Sequence, residues 1–190
     1  EVTRAQWKDV MGTTPWPSDG CGMRCPVTNI TWFDAVHFVN TLSELESRPV
    51  CYTVSQCSDS NGHITSCQDV QFVGLQCAGY RLPTEAEWEH AARAVDTSAL
   101  SLKSLEGHAP PSDTIGPVQQ HPPTTWGLHD ILGGVGEWTH DRYSAQFYVN
   151  SPKTDPIGPE RGEQRTWRDC TYADSPVQCR FAVRRFATAG

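Results

Sequence analysis

Eight cysteines place the strongest constraint on how this chain can fold. They fall into three local groups, at positions 21 and 25, at 51, 57, 67 and 77, and at 170 and 179. The spacings form no Cys-x-x-Cys pairs and no histidines follow at zinc-finger distances, so disulfides are favoured over a structural metal. Proximity along the chain predicts the pairs Cys21–Cys25, Cys51–Cys77 enclosing Cys57–Cys67, and Cys170–Cys179. Since disulfides persist in oxidising compartments, we expect a protein that is secreted, at the cell surface or periplasmic.

The composition excludes two classes of partner. The 190 residues carry a net charge of −7 with no basic run, which argues against a nucleic-acid partner. No apolar stretch approaches the roughly 20 residues that a membrane-spanning helix needs. Only 19% of residues are charged, while 15 are glycine and 14 are proline, as is typical of a loop-rich protein. The length predicts a single domain over residues 1–190.

Two segments predict the main helices. In RLPTEAEWEHAARA, Thr84 and Glu87 form a Thr-x-x-Glu capping box, which predicts a helix over about 84–94. Thr31 caps a second segment, about 31–45, whose apolar residues recur at the helical period. Around them, CYTV, ITSCQDVQFV and much of the final third indicate short strands separated by turns. The predicted fold class is α+β with little regular secondary structure.

Four segments, in order, resemble the formylglycine-generating enzyme family, also called the sulfatase-modifying factor family. They are PVTNITWFDAVHFVNTL, GYRLPTEAEWEHAARA, PPTTWGLHDILGGVGEWTHDRY and RTWRDC followed by CRFAVRR. The resemblance runs from about Pro26 to Arg185, and RLPTEAEWE is its most specific part. It implies a C-type-lectin-like fold with two main helices and short twisted antiparallel strands, in which the RLPTEAEWE helix is a buried support. Family members extend further at both ends, so this chain is expected to be trimmed or minimal there.

The family's chemistry depends on a pair of cysteines that this chain does not reproduce. The resemblance implies oxidation of a substrate cysteine to formylglycine by copper(I), which soft thiolate ligands hold. In the family the two cysteines follow a Gly-Gly-Ser turn. Here Asp174 falls at the first cysteine position, Cys179 lies near the second, and Cys170 replaces a turn glycine. Copper is therefore not expected, and the alternative is a copper-dependent oxidase with a rearranged site that uses Cys170 and Cys179.

A calcium site is a second property that the resemblance implies. The family motif GNVWEW binds calcium through its asparagine and glutamate side chains and through backbone carbonyls. This chain reads GGVGEW over residues 133–138, which keeps Glu137 but replaces the asparagine by Gly134 and a tryptophan by Gly136. Calcium takes about six to eight oxygen ligands, so losing one weakens a site without necessarily abolishing it. Calcium at Glu137 and an ion pair between Glu137 and a buried arginine both stay open.

Without copper chemistry, the predicted fold is suited to binding. Loops on a rigid lectin-like base carry function, and tyrosine, tryptophan and arginine dominate binding hot spots. The candidate binding residues are Trp138, Asp141, Arg142, Tyr143, Tyr172 and Asp174. The competing interpretation places Trp138 in the core and makes Asp141 and Arg142 a solvated charge pair. We expect a bacterial, non-catalytic binding or structural module whose loop face takes a protein or glycan ligand, alone or in a larger extracellular assembly.

Overall fold

The computed structural model describes residues 1–93, 114–175 and 178–190. The sequence also predicts a long irregular region over residues 95–125, and its part up to residue 113 lies outside the described residues. The helices and strands are, in chain order, α1 (Arg4–Met11), α2 (Trp32–Leu45), β1 (Tyr52–Ser60), β2 (His63–Phe72), α3 (Glu85–Ala92), β3 (Glu137–Arg142), a 3-10 helix (Phe147–Val149), β4 (Gln164–Arg168) and β5 (Arg185–Thr188). Within the described ranges, no helix has the length and apolar character needed to cross a bilayer.

A threonine caps the N-terminus of each of the three α-helices in the described ranges. Each threonine hydroxyl accepts a hydrogen bond from the backbone N–H three residues later, and the side chain of that later residue accepts one from the threonine N–H. These reciprocal bonds satisfy donors that a helix start otherwise leaves free. The pairs are Thr3–Gln6, Thr31–Asp34 and Thr84–Glu87. The two predicted helices are thus confirmed as α2 and α3, and α1 is a third helix ahead of them.

The eight cysteines form four disulfides, and none is free. The pairs are those that sequence proximity predicted, namely Cys21–Cys25, Cys51–Cys77, Cys57–Cys67 and Cys170–Cys179. Their bridges span only 4 to 26 residues, so each one fixes a local loop. Longer-range order must therefore come from packing and from buried ion pairs.

Strands β1 and β2 form an antiparallel hairpin that is tied to helix α2. Cys57 lies directly opposite Cys67, so their disulfide joins the two strands. Near the tip, the carboxylate of Asp34 accepts a hydrogen bond from Ile64 N and lies 2.8 Å from His63 Nδ1. The helix-capping residue Asp34 thereby also anchors the hairpin.

Strands β3, β4 and β5 form a three-stranded antiparallel sheet in that order. Trp138 lies opposite Trp167, and Trp167 lies opposite Arg185, so these three side chains share one face. The regular register is interrupted between Trp138 and Arg142. The two ends of β3 consequently contribute to different parts of the surface.

Helix α3 is attached to this sheet by what we call the arginine cluster, formed by Glu85, Glu89, Arg168 and Arg184. Glu85 is fully buried and binds Arg184 through both carboxylate oxygens, at 2.8 and 2.7 Å. Arg168, which is also buried, reaches Glu85 at 3.1 Å and Glu89 at 2.7 Å. Paired, bidentate contacts of this kind compensate the cost of burying charge. The RLPTEAEWE helix is a buried support, as the resemblance implied.

The apolar core is divided into three clusters. The largest surrounds Trp32 and Tyr52, between α2 and the hairpin, and a second joins Trp88 of α3 to the Cys170–Cys179 disulfide. The third is small and contains Trp7, Val27 and Phe38, with the Trp7 and Phe38 rings stacked at 5.2 Å. The α+β fold with short antiparallel strands is therefore confirmed.

Candidate ligand-binding site

The two cysteines nearest to the family's copper position are joined in a disulfide. Cys170 and Cys179 are 0% and 1% exposed and pack against Trp88. A disulfide carries no thiolate, and thiolate is the form in which cysteine binds metals. In this oxidised form, neither sulfur is available as the soft ligand that copper(I) requires.

Asp169 lies in the turn before this disulfide. Asp169 adopts a left-handed conformation with a φ of 79°, which aspartate tolerates better than most residues. Its Oδ1 accepts hydrogen bonds from Gly133 N at 3.0 Å and from Cys170 N at 2.6 Å, while Oδ2 has no partner. Burial, together with nearby Glu137, holds the pKa of Asp169 well above its usual range. The carboxyl group therefore joins two loops through hydrogen bonds, while its raised pKa disfavours the ionised form.

Asp174, which falls at the family's first cysteine position, forms an ion pair. Its carboxylate lies 3.0 Å from Arg185 Nη2 and accepts a hydrogen bond from Thr171 N at 2.7 Å. Burial opposes ionisation, but the bonds from Thr171 and Arg185 outweigh it and lower the pKa of Asp174. Arg185 in turn lies over the Trp167 ring, 5.0 Å from its centroid. This position therefore carries a fixed charge pair in place of a metal ligand.

Other side chains fill the space that the altered GGVGEW segment leaves open. A Cβ atom on Gly134 would lie 2.0 Å from Glu1 Oε1, so the Glu1 carboxylate lies where the family's asparagine would begin. A Cβ atom on Gly136 would lie 2.3 Å from the Trp167 ring. Glycine at these two positions thus permits close approach by Glu1 and Trp167. The departures from the family motif are matched by local packing.

The residues present do not fit a calcium site built like that of the family. Glu137 Oε2 accepts a hydrogen bond from Trp88 Nε1, and Gly134 supplies no side-chain ligand. Across residues 1–93, 114–175 and 178–190, no group of three or more His, Cys, Asp or Glu side chains is arranged to hold a metal ion.

Next to this segment lies a cavity of about 600 Å³, which we call the apolar cavity. Its walls come from the residues before α1, from α1, α2 and β3, and from the loop segments 27–30, 82–83, 135–136 and 171–172, and most of its lining is aliphatic or aromatic. The side chains that define it are Trp7, Phe38, Val39, Leu82, Trp138 and Tyr172. Its volume lies within the range of about 300–1,000 Å³ that is usual for small-ligand sites. The cavity shares Trp7, Val27 and Phe38 with the third core cluster.

The charged side chains that line the apolar cavity are acidic. They are Glu1 and Glu137, and the described lining contains no lysine, arginine or histidine. Burial raises the pKa of Glu1 to about 7, with Glu137 and Asp130 contributing. Glu1 Oε1 accepts a hydrogen bond from Val135 N at 3.3 Å. The cavity therefore combines apolar walls with two neighbouring carboxyl groups, of which that of Glu1 is only partly ionised near neutral pH.

The structure brings some of the predicted binding residues together at this cavity. Trp138 and Tyr172 line it, and Trp138 Nε1 donates a hydrogen bond to Ile30 O at 3.1 Å. Asp174 lies in the same loop as Tyr172, beside Arg185. Trp138 and Tyr172 therefore share the cavity, whereas Asp174 is not among its described lining residues.

The other predicted binding residues lie elsewhere. Asp141 is not on the surface, because it is 1% exposed and its Oδ2 accepts a hydrogen bond from Glu85 N at 2.7 Å. Burial raises the pKa of Asp141 to about 7. Arg142 and Tyr143 lie at the far end of β3, where Tyr143 stacks on Phe186 with ring centroids 3.9 Å apart. Because Asp141 is buried, it is not a surface binding residue. For the same reason, it is not part of a solvated charge pair with Arg142.

Sequence reasoning missed the part of the site that the first forty residues contribute. Glu1, Trp7 and Phe38 line the cavity, but the sequence indicated only that the two aromatic residues belong to helical stretches. The one available signal was the apolar face of α1, since such a face must pack against another part of the protein. Nothing in the local sequence connects these residues to the segment 135–138.

Comparison with known proteins identifies the family of this chain. A family model described as a sulfatase-modifying factor enzyme 1-like domain matches residues 1–190. The chaperone protein LppX of Paenibacillus barcinonensis is 37% identical over 172 residues, which cover 76% of this chain and 61% of LppX. The formylglycine-generating enzyme of Streptomyces coelicolor is 34% identical over 122 residues, which cover 54% of this chain and 39% of the enzyme. The chain thus spans less than two thirds of either relative.

Among solved structures, Treponema denticola variable protein 1 superimposes with a TM-score of 0.80 and 28% identity. The match covers 100% of this chain and 77% of that protein. CarF superimposes with a TM-score of 0.69 and 25% identity, over 100% of this chain and 78% of CarF. The family model, the relatives and the fold all agree, and the chain belongs to the sulfatase-modifying factor family.

Proposed function

We propose that this protein is a secreted or envelope-associated binding module that lacks the oxidase activity of the formylglycine-generating enzymes. The Cys170–Cys179 disulfide carries this proposal. Copper(I) needs two soft ligands close together, and in this fold both candidate sulfurs are already bonded to each other. Asp174, at the family's first cysteine position, is engaged by Arg185 and Thr171.

The localisation rests on the cysteines as a group. Four disulfides with no free thiol are typical of proteins that fold in an oxidising compartment. Similar proteins with non-enzyme names, such as the chaperone protein LppX and the Treponema variable protein, support a role other than oxidation. A fold does not by itself determine function, so the site must carry the argument.

The ligand-binding face that we propose is the one around the apolar cavity. Trp138 and Tyr172 line the cavity, while Trp167 and Arg185 extend the same side of the sheet. Aromatic and arginine side chains held by hydrogen bonds and ion pairs lose little conformational entropy on binding. A protein or glycan ligand is expected here.

A copper and activity assay tests this proposal. The protein is titrated with copper(I) and then incubated with a cysteine-containing peptide under oxygen, with the Streptomyces coelicolor enzyme as the positive control. We expect no stoichiometric copper binding and no peptide aldehyde. Aldehyde formation that is lost in Cys179→Ser, but kept in the control pair Cys57→Ser/Cys67→Ser, would overturn the proposal in favour of the rearranged oxidase.

A further inference from the structure

The apolar cavity contains carboxylates that lack a basic side chain to neutralise them. Glu1 and Glu137 both line it, and the pKa of Glu1 is raised to about 7 by burial and by the nearby charge of Glu137. The amino group of Glu1 lies 3.8 Å from Glu137 Oε1 and Trp88 Nε1 donates a hydrogen bond to Glu137 Oε2, so the two carboxylates share one cationic group. A ligand that brings a cation would therefore gain electrostatic energy here.

The remaining walls determine what else the ligand must provide. Val39, Leu82 and Phe38 offer only apolar surface, and the faces of Trp7 and Trp138 are nearby. Sugar hydroxyls against such walls would lose their hydrogen bonds to water without replacement, which is costly. An alkyl chain that ends in a positive charge suits both parts of the cavity, because its stem packs on apolar surface and its head meets the carboxylates or an aromatic face.

We propose that the apolar cavity receives a lysine or arginine side chain, flanked by apolar residues, from a protein partner. This inference rests on the binding function proposed above. The net charge of −7 favours the approach of a basic partner over long range. A cavity of about 600 Å³ is large enough for a basic side chain together with an apolar neighbour. The occupant is thus a basic, amphipathic peptide segment.

Three matched peptides test this inference. The probe is acetyl-Leu-Lys-Leu-amide, and the controls replace its lysine by norleucine, which keeps the stem without the charge, or by glutamate. Binding is measured by titration calorimetry and by tryptophan fluorescence, since Trp7 and Trp138 line the cavity. We expect the lysine peptide to bind about tenfold more tightly than the norleucine peptide, and the glutamate peptide not to bind.

Variants of the two cavity carboxylates test whether the lysine peptide binds in the cavity. Glu137→Gln keeps an acceptor for Trp88 while removing the charge, and Glu1→Ala removes the other carboxylate. Each is expected to weaken binding of the lysine peptide about tenfold, whereas Glu44→Gln, at an exposed position of α2, leaves it unchanged. Circular dichroism of each variant checks that the fold is retained.

Several outcomes would overturn the inference. They are equal binding of the lysine and norleucine peptides, no binding of any peptide, and competition by a neutral oligosaccharide such as maltohexaose. None of these outcomes would restore an oxidase, because the copper and aldehyde assay tests that separately. Failure of the basic-ligand inference is therefore distinguishable from failure of the proposed function.

Discussion

The arginine cluster and the apolar cavity lie in the same fold but treat buried charge in opposite ways. In the cluster, each buried carboxylate meets a guanidinium, as when Glu85 binds both Arg168 and Arg184. In the cavity, Glu1 and Glu137 line apolar walls with no basic side chain among the described lining residues. Charge that is compensated internally holds the fold together. In the cavity, one amino group, that of Glu1, lies 3.8 Å from Glu137, so two carboxylates share one cation. This contrast assigns stability to the cluster, and we propose that the cavity binds a ligand.

The largest expected effect comes from breaking the cluster. Glu85→Gln leaves the buried Arg168 and the half-buried Arg184 without the anion they share, so we expect the free energy of unfolding to fall by about 3–5 kcal/mol. Urea denaturation measures it. The matched change Glu44→Gln, at an exposed site, should stay within about 0.5 kcal/mol of the wild type. A loss below about 1 kcal/mol for Glu85→Gln would mean that the cluster does not support the fold.

Two disulfides of nearly equal loop length sharpen the comparison. Cys170–Cys179 and Cys57–Cys67 have sequence separations of 9 and 10, so removing either costs similar chain entropy, about 2–3 kcal/mol. Only the first is buried, against Trp88. We therefore expect Cys170→Ala/Cys179→Ala to destabilise the protein by about 1 kcal/mol more than Cys57→Ala/Cys67→Ala, because it also disturbs packing. Equal losses in urea would assign the whole effect to chain entropy.

Asp141, which accepts a hydrogen bond from Glu85 N of the arginine cluster, is expected to make the stability of the fold depend on pH. Its carboxyl group has a folded-state pKa of about 7 against an ordinary 3.8, so the folded protein retains a proton that the unfolded chain loses. The stability from this group is fully present below pH 3.8 and is lost as pH rises through about 7.

Replacing this group should flatten the pH profile of stability. We expect Asp141→Asn to be more stable relative to the wild type at pH 8 than at pH 5, by about 1–2 kcal/mol. Denaturation across this pH range checks it, and Asp155→Asn at an exposed loop position serves as the control. Parallel curves for Asp141→Asn and the wild type would show that Asp141 is ionised in the folded protein at both pH values.

The smallest expected effect concerns the cavity wall. A Cβ atom on Gly136 would collide with the Trp167 ring, so Gly136→Ala should cost about 1 kcal/mol and displace that ring. Gly116→Ala is the control, since its Cβ meets nothing within 4 Å. Thermal unfolding and near-ultraviolet circular dichroism together report stability and the tryptophan environment. An unchanged tryptophan signal in Gly136→Ala would contradict the close packing of Trp167 on the glycine.

Features with a local cause were predictable from the sequence. The capping boxes at Thr31 and Thr84 involve residues three apart, and the four disulfides join cysteines close along the chain. The role of Glu85 was not predictable, because it appeared only as a favourable charge at a helix start. Its partner Arg184 lies 99 residues away in the sequence.

The site was less predictable than the fold for the same reason. Trp138 and Tyr172 belong to a recognisable motif region, but Glu1, Trp7 and Phe38 reach the cavity only through tertiary packing. Asp141 was misplaced because its burial depends on the N-terminus of α3, which its own neighbourhood in the sequence does not reveal. Residues brought together over long sequence distances leave no local pattern.

The most direct test of the account is peptide mass spectrometry of the native protein, with thiol alkylation before and after reduction and with copper analysis of the same sample. The account predicts that a peptide containing Cys170 is linked to one containing Cys179, that neither is alkylated before reduction, and that copper is absent. Alkylation of both cysteines in the native protein, with about one copper ion per chain, would contradict it. The sulfatase-modifying factor domain would then be a copper oxidase with a rearranged site.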